Sequence, residues 1–268
     1  MNIKLVAADL DNTLAPTGEP WCELNREALR ELNRRGIPFV LASGKTVHML
    51  RHTEKKNDLG YEIPFIMGMN GSQLLDRIYG REYEFELLSS ETLKEIWEMM
   101  EPFGLNPYVY YEDGMLIEKI DGDLLASCKR NDLKSYLVKD KGPVWARPTA
   151  KILYRMKEEM MPVVREFVSQ HPSEKWLTVQ SQKTMLEFIH PETSKGHTLL
   201  RICQMHGISP DEVMAFGDSE NDEEMLKCCH GICLKDGFEK TKKVCEDVTD
   251  LNCDEGGFGD YLFKHVLI

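Results

Sequence analysis

Four short pieces of this chain carry residues whose types suit one chemistry. They are Asp9-Leu10-Asp11-Asn12-Thr13-Leu14, Ala42-Ser43-Gly44, Lys195-Gly196 and Gly217-Asp218-Ser219-Glu220-Asn221-Asp222. Gathered in one place, Asp9, Asp11, Asp218 and Asp222 would bring several negative charges together, which raises carboxyl pKa values or drives the groups apart. A hard divalent cation relieves that repulsion, and an all-oxygen ligand set suits Mg²⁺ better than zinc. Such an ion also attracts a phosphate and neutralises charge that develops in phosphoryl transfer. Lys195 adds a fixed positive charge, Ser43 a hydroxyl, Gly44 an unhindered backbone amide and Asn221 a side-chain amide. Together they suit a tetrahedral anion held by preorganised donors.

Two carboxylates then have separate work. One can attack phosphorus and form an aspartyl-phosphate. The other must protonate the leaving oxygen and later deprotonate water. Residues two apart on a strand share a face, but Asp11 begins a loop and can turn towards the leaving group. Asp9 is still at the strand end and better held, so it is assigned as the nucleophile.

These pieces are far apart in the chain, so the elements between them must converge. Ile3–Ala8 is an apolar run of strand length, as expected of a strand covered on both faces. Cys22–Arg35 reads as a helix with Leu24, Ala28, Leu29 and Leu32 on one face, stopped by Gly36, and Ile37–Ala42 as the next strand. That order implies a right-handed parallel crossover. The alternation resumes with a helix over Lys195–His206, strands at Val213–Phe216 and Gly231–Leu234, and helices over Glu220–Cys229, Phe238–Glu246 and Asp260–Val266. In open parallel sheets ligands bind beyond the carboxyl ends of the strands, which is where all four pieces fall.

The middle of the chain has another texture. Asn106–Tyr111 and Met115–Ile120 read as a hairpin about Asp113-Gly114, and Trp176–Gln180 with Met185–Ile189 as a second about Gln182-Lys183. Glu91–Phe103 reads as a helix capped by Ser90, Lys151–Met156 as a strand and Met160–Ser169 as a helix. The expected architecture is therefore α/β: a Rossmann-like parallel-sheet core, residues 1–81 and 191–268, with an inserted α+β cap domain, residues 82–190.

Composition narrows the rest. The 268 residues allow one large or two modest domains. Lys and Arg total 33 against 45 Asp and Glu, a net charge of −12, which argues against sequence-independent nucleic-acid binding. No apolar stretch is long enough for a membrane helix, and no secretory signal is read at the start. The eight cysteines, without that signal or paired zinc spacings, are expected as reduced thiols of a cytoplasmic protein.

Asp9-x-Asp11-Asn12-Thr13-Leu14, Ser43-Gly44, Lys195-Gly196 and Gly217-Asp218-x-x-Asn221-Asp222 resemble the four motifs of the haloacid dehalogenase-like phosphohydrolases. Their order and spacing are similar to the Cof-type subgroup, with its large α/β cap between the second and third motifs, and Asn70-Gly71 resembles that subgroup too. The resemblance implies Mg²⁺ and hydrolysis of small phosphate monoesters, often sugar phosphates, under a cap that closes to exclude water. It makes Asp9 nucleophile and metal ligand, Asp11 general acid/base and a metal ligand through its backbone carbonyl, and Asp218 a metal ligand. Ser43, Gly44, Lys195 and Asn221 would hold the phosphate, with Asp222 behind Lys195 or the metal.

The chain departs from the pattern at Lys45, where many members carry Arg. Lysine keeps the charge and loses the bidentate fork, so a substrate contact from that position is in doubt. Ser43 could cap a helix from Lys45 onward, in place of holding phosphate or as well as it, and Asp222 could be a solvated or capping residue. Cap residues Tyr110, Tyr111, Trp145, Arg147 and Lys151 could face a substrate, although each taken singly is better read as core or surface of the cap sheet. Two other functions fit the same motifs: a phosphosugar mutase, which needs a basic cluster for a second phosphate, and a non-catalytic phosphometabolite-binding protein.

Overall fold

Strand β1 (Leu5–Asp9) is buried along its whole length at the centre of the first unit. The computed structural model describes residues 2–120, 122–140 and 142–268, in two units: Met1–Tyr83 with Ser194–Ile268, and Glu84–Thr193. After β1 come α1 (Glu23–Arg34), β2 (Phe39–Ala42), α2 (Val47–Asn57), β3 (Phe65–Gly68), β4 (Gln73–Asp76) and β5 (Arg81–Glu84). The inserted unit runs through α3 (Ser90–Met100), β6 (Pro107–Tyr111), β7 (Gly114–Ile117), α4 (Gly122–Asn131), β8 (Lys134–Leu137), α5 (Gly142–Trp145), β9 (Lys151–Arg155), α6 (Met161–Ser169), β10 (Leu177–Gln182) and β11 (Met185–Ile189). The first unit is then completed by α7 (Lys195–His206), β12 (Val213–Gly217), α8 (Glu223–Lys227), β13 (His230–Cys233), α9 (Glu239–Lys242), β14 (Asp247–Val248) and α10 (Gly257–His265).

The sheet of the first unit has the order β14-β13-β12-β1-β2-β3-β4-β5. Pairings from β14 to β3 are parallel, and β4 turns back antiparallel on β3. The chain leaves β1 towards β2 and returns on its other side as β12. The topological switch therefore lies between β1 and β12, and a crevice opens at their carboxyl ends. Helix α1 shows how residue spacing builds this core: Asn25, Ala28, Leu29 and Leu32 are its buried stripe, the i, i+3, i+4, i+7 pattern of an amphipathic helix. The polar member, Asn25, takes the place expected of Leu24. Its Nδ2 donates to the Leu14 carbonyl (2.9 Å) and its Oδ1 accepts from the Gly259 amide (2.8 Å), so it ties the loop after Asp11 to α10.

The inserted unit is α+β. Its sheet order is β10-β11-β9-β6-β7-β8, antiparallel except for β7 with β8. Val109, Leu116, Ile152, Tyr154, Leu186 and Phe188 share one core with α3, α5 and α6. Several local expectations shift. Ser89, not Ser90, caps α3, because Ser89 is extended and its side chain accepts from the Thr92 amide. The first hairpin turns on Glu112-Asp113 rather than Asp113-Gly114: Tyr111 pairs with Gly114, and Glu112 takes the positive φ of 48°. Helices expected over Glu220–Cys229 and Phe238–Glu246 contract, the first to a 3-10 turn followed by α8, the second to α9.

The residues proposed to face a substrate in this unit are largely engaged within it. Trp145 packs edge-on against Trp97 (5.1 Å), and the Arg147 guanidinium lies 4.4 Å over the Tyr111 ring. Lys151 Nζ pairs with Glu187 Oε2 at 2.9 Å, both side chains being at most 5% exposed. Lys151→Met would leave Glu187 as an uncompensated buried charge, at a cost of about 3–5 kcal/mol, whereas adding Glu187→Leu should recover most of it. Urea unfolding of the parent and both variants checks this, and a Lys151→Met variant as stable as the parent contradicts it.

Candidate active site

The site is built from residues at the ends of β1 and β12 and at the start of α7. Asp9 is the last residue of β1, in register with Ala42 of β2. Asp218 follows β12, and Lys195 opens α7, whose N-cap Ser194 accepts from the Gly196 and His197 amides. Lys195 is completely buried, not the solvated first-turn lysine its position would allow. Its Nζ lies 2.5 Å from Asp9 Oδ1 and 2.6 Å from Asp222 Oδ1.

Asp222 is fully buried, and both its oxygens are engaged: Oδ2 accepts the backbone amides of Asp218 (3.1 Å) and Ser219 (3.2 Å). Gly217 makes this approach possible, since a Cβ there would stand 2.6 Å from Asp222 Cβ. Asp222 is thus a brace, fixing Lys195 with one oxygen and the Asp218 loop with the other. Thr13 Oγ1 donates to Asp218 Oδ1 at 3.0 Å, a contact the sequence reading did not single out. Asp9 Oδ2 and Asp218 Oδ2 have no hydrogen-bond partner among the described residues.

Carboxylate oxygens of Asp9, Asp218 and Asp222 all lie within 4.8 Å of one another. Burial, reinforced by Asp222, pushes the Asp218 carboxyl up to about 7 against the Thr13 hydrogen bond and Lys195. Burial likewise raises Asp9 well above the carboxylate range, opposed by Lys195. Burial alone would lower Lys195, but Asp222 and Asp9 more than offset it and hold the ammonium above its ordinary value. Two crowded carboxylates with unengaged oxygens form a donor set that fits a hard divalent cation.

Asp11 is not in that acidic group. Its two oxygens each lie 2.7 Å from Lys45 Nζ, and both side chains are about a quarter exposed. Lys45 therefore orients the Asp11 carboxylate. Ser43 is buried, and its Oγ accepts the Lys45 amide (3.2 Å). The cap of α2 is Thr46, whose side chain accepts from the Met49 amide, so Ser43 does not serve that helix. Asn221 is exposed, and its Nδ2 donates to Asn70 Oδ1 at 3.4 Å. Ser43, Gly44, Asn70 and Asn221 thus form one side of the site, with Asp9, Lys195, Asp218 and Asp222 on its buried side.

Residues 6–262 match the haloacid dehalogenase-like hydrolase family. The chain belongs to that family. It is the family that the four motifs resemble. A chloroplastic endoribonuclease YBEY of Arabidopsis thaliana is 28% identical over 97% of this chain, which spans only 46% of that protein. The 5-amino-6-(5-phospho-D-ribitylamino)uracil phosphatase YcsE of Bacillus subtilis is 22% identical over 96% of this chain and 93% of its own. In fold, the chain is similar to a haloacid dehalogenase-like hydrolase from Bacteroides thetaiotaomicron, with a TM-score of 0.88, 23% identity and coverage of 98% and 99% of the two chains. Among the described residues, no helix is long and apolar enough to cross a membrane.

The raised Asp218 pKa has a measurable consequence in metal-free protein. Unfolded, this carboxyl titrates near its ordinary 3.8; folded, near 7. The folded state therefore keeps a proton across that window, and stability falls as pH rises through it. In EDTA at pH 8, Asp218→Asn should melt several degrees above the parent, the difference fading as the pH approaches 4. Mg²⁺ should raise the Tm of the parent and not of the variant. Thermal scans with and without Mg²⁺ check both, and a variant that melts below the parent in EDTA contradicts the account.

Proposed function

We propose that this hydrolase is a Mg²⁺-dependent phosphatase acting on phosphate monoesters of small metabolites, sugar phosphates among them, through an aspartyl-phosphate on Asp9. The observation that carries the reading is the asymmetry of the Asp9 carboxylate. Lys195 holds Oδ1 at 2.5 Å, while Oδ2 has no partner among the described residues. A carboxylate fixed by one oxygen and open at the other is oriented for in-line attack, with little entropy left to lose.

The rest of the site has complementary work. Ser43 Oγ, the Gly44 amide, Lys195 and Asn221 would bind the phosphoryl oxygens and oppose their charge. Asp11, oriented by Lys45, would protonate the departing ester oxygen and then take a proton from the water that opens the aspartyl-phosphate. Asp222 would keep Lys195 in place. Mg²⁺ would be held by Asp9, Asp218 and the Asp11 backbone carbonyl, where it would neutralise charge on the phosphate. The substrate class is supported by the relative that acts on a phosphorylated ribityl compound.

Phosphate release from a panel of phosphorylated metabolites, in Mg²⁺ or EDTA, tests the reading. Release should require Mg²⁺ and fall at least roughly 1,000-fold in Asp9→Asn. Folded protein that releases no phosphate from any compound would shift the reading to the mutase or the binding protein.

A further inference from the structure

The turn after β3 is held in a conformation its residues would not choose alone. Met69, Asn70 and Gly71 have φ values of 53°, 56° and 106°, three successive residues in the left-handed region. A Cβ is disfavoured there, and Asn is one of the few side chains that enter it routinely. Neighbours impose the turn. The Met69 amide donates to the Lys45 carbonyl (2.7 Å), the Asn70 amide to the Ser43 carbonyl (3.0 Å) and Thr198 Oγ1 to the Gly71 carbonyl (2.7 Å). A Cβ on Gly71 would stand 2.4 Å from the Ser194 oxygen, so only glycine fits. The turn is wedged between the segment that carries Ser43 and Gly44 and the start of α7, which carries Lys195.

Strain persists where surrounding structure over-determines it, and here it aims one side chain. Asn70 Oδ1 accepts from Asn221 and lies 3.2 Å from the place a Gly44 Cβ would occupy. Asn70 Nδ2 has no acceptor among the described residues, although the residue is half-buried. Nδ2 lies 3.6 Å from the place a Gly44 Cβ would occupy, and its two N–H donors have no partner among the described residues, so an anion beside Gly44 would satisfy them.

We propose that Asn70 is a further catalytic residue: Nδ2 donates to an oxygen of the transferring phosphoryl group while Oδ1 holds the Asn221 amide. This role rests on the phosphatase reading, so its test uses turnover and, separately, binding of orthovanadate. Asn70→Gly keeps the left-handed backbone and removes only the amide. Asn70→Asp keeps the shape and the acceptor but replaces the donor with a charge. The expected result is an Asn70→Gly variant with the parent's Tm, and with kcat/KM and orthovanadate affinity each reduced about 100-fold. Asn70→Asp should lose more than Asn70→Gly. A glycine variant with parental turnover and vanadate affinity overturns the proposal, because Asn70 would then neither donate to the anion nor hold Asn221 for it, and an Asn70→Asp variant with parental vanadate affinity overturns the donor role in particular. A parent that binds vanadate but hydrolyses no ester defeats the phosphatase reading alone, and the vanadate ratio still decides Asn70. A parent that binds no vanadate defeats both.

Discussion

A buried ammonium between two buried carboxylates is the interaction on which the rest of this structure depends. Desolvating Lys195 alone would cost several kcal/mol, and only its contacts with Asp9 and Asp222 offset that cost. The contacts reach far: Asp9 ends the central strand, Asp222 follows β12, and Lys195 opens the helix after the insertion. One ion pair network therefore fixes three segments that lie far apart in the chain. With Asp218 included, three carboxylates face one ammonium, leaving two negative charges unanswered within 4.8 Å. Burial raises the Asp9 and Asp218 pKa values, and the neighbouring carboxylates add to the rise. A divalent cation is equal to the unanswered charge in size and opposite in sign, which gives the metal proposal a basis in charge as well as in ligand type.

The topology explains why such a charge cluster can exist. Strands β1 and β12 are parallel neighbours, so their carboxyl ends point the same way and release their loops into one crevice. The apolar runs of both strands are fully buried, and that rigidity keeps the acids close despite their repulsion. Asn25 and Thr13 extend the same logic to the loop after Asp9. One holds the Leu14 carbonyl and the other reaches Asp218, so the loop that carries Asp11 is anchored on its far side at two adjacent residues.

Much of the site was legible in the sequence because its chemistry needs particular residue types at strand ends. Asp9, Asp218, Asp222 and Lys195 were named from type and position, and the structure brings all four together. Asp11 shows the limit. Its residue type suggested membership of the acidic group, but its carboxylate turns to Lys45, which had been noted only as a departure from Arg. Thr13, Asn25 and Asn70 are polar residues whose contacts are made across the fold, and hydrophobic periodicity gives no sign of such contacts. The sole local hint at Asn70 was the Asn-Gly pair, which permits left-handed backbone. The fold class was readable from strand-helix alternation. Strands β3, β4, β5, β8 and β14 were not read; of these β5, β8 and β14 are short edge strands of two to four residues, with partly exposed or polar composition.

The proposed function turns on Asp9, steadied by Lys195, forming a covalent bond to phosphorus. The stereochemical course at phosphorus tests it most directly. Hydrolysis of a phosphorothioate ester made chiral with oxygen isotopes, in isotopically labelled water, reports whether one or two in-line displacements occur. Attack by Asp9 followed by attack by water inverts phosphorus twice and predicts net retention. Net inversion would mean that water attacks the ester directly, and would contradict a nucleophilic Asp9.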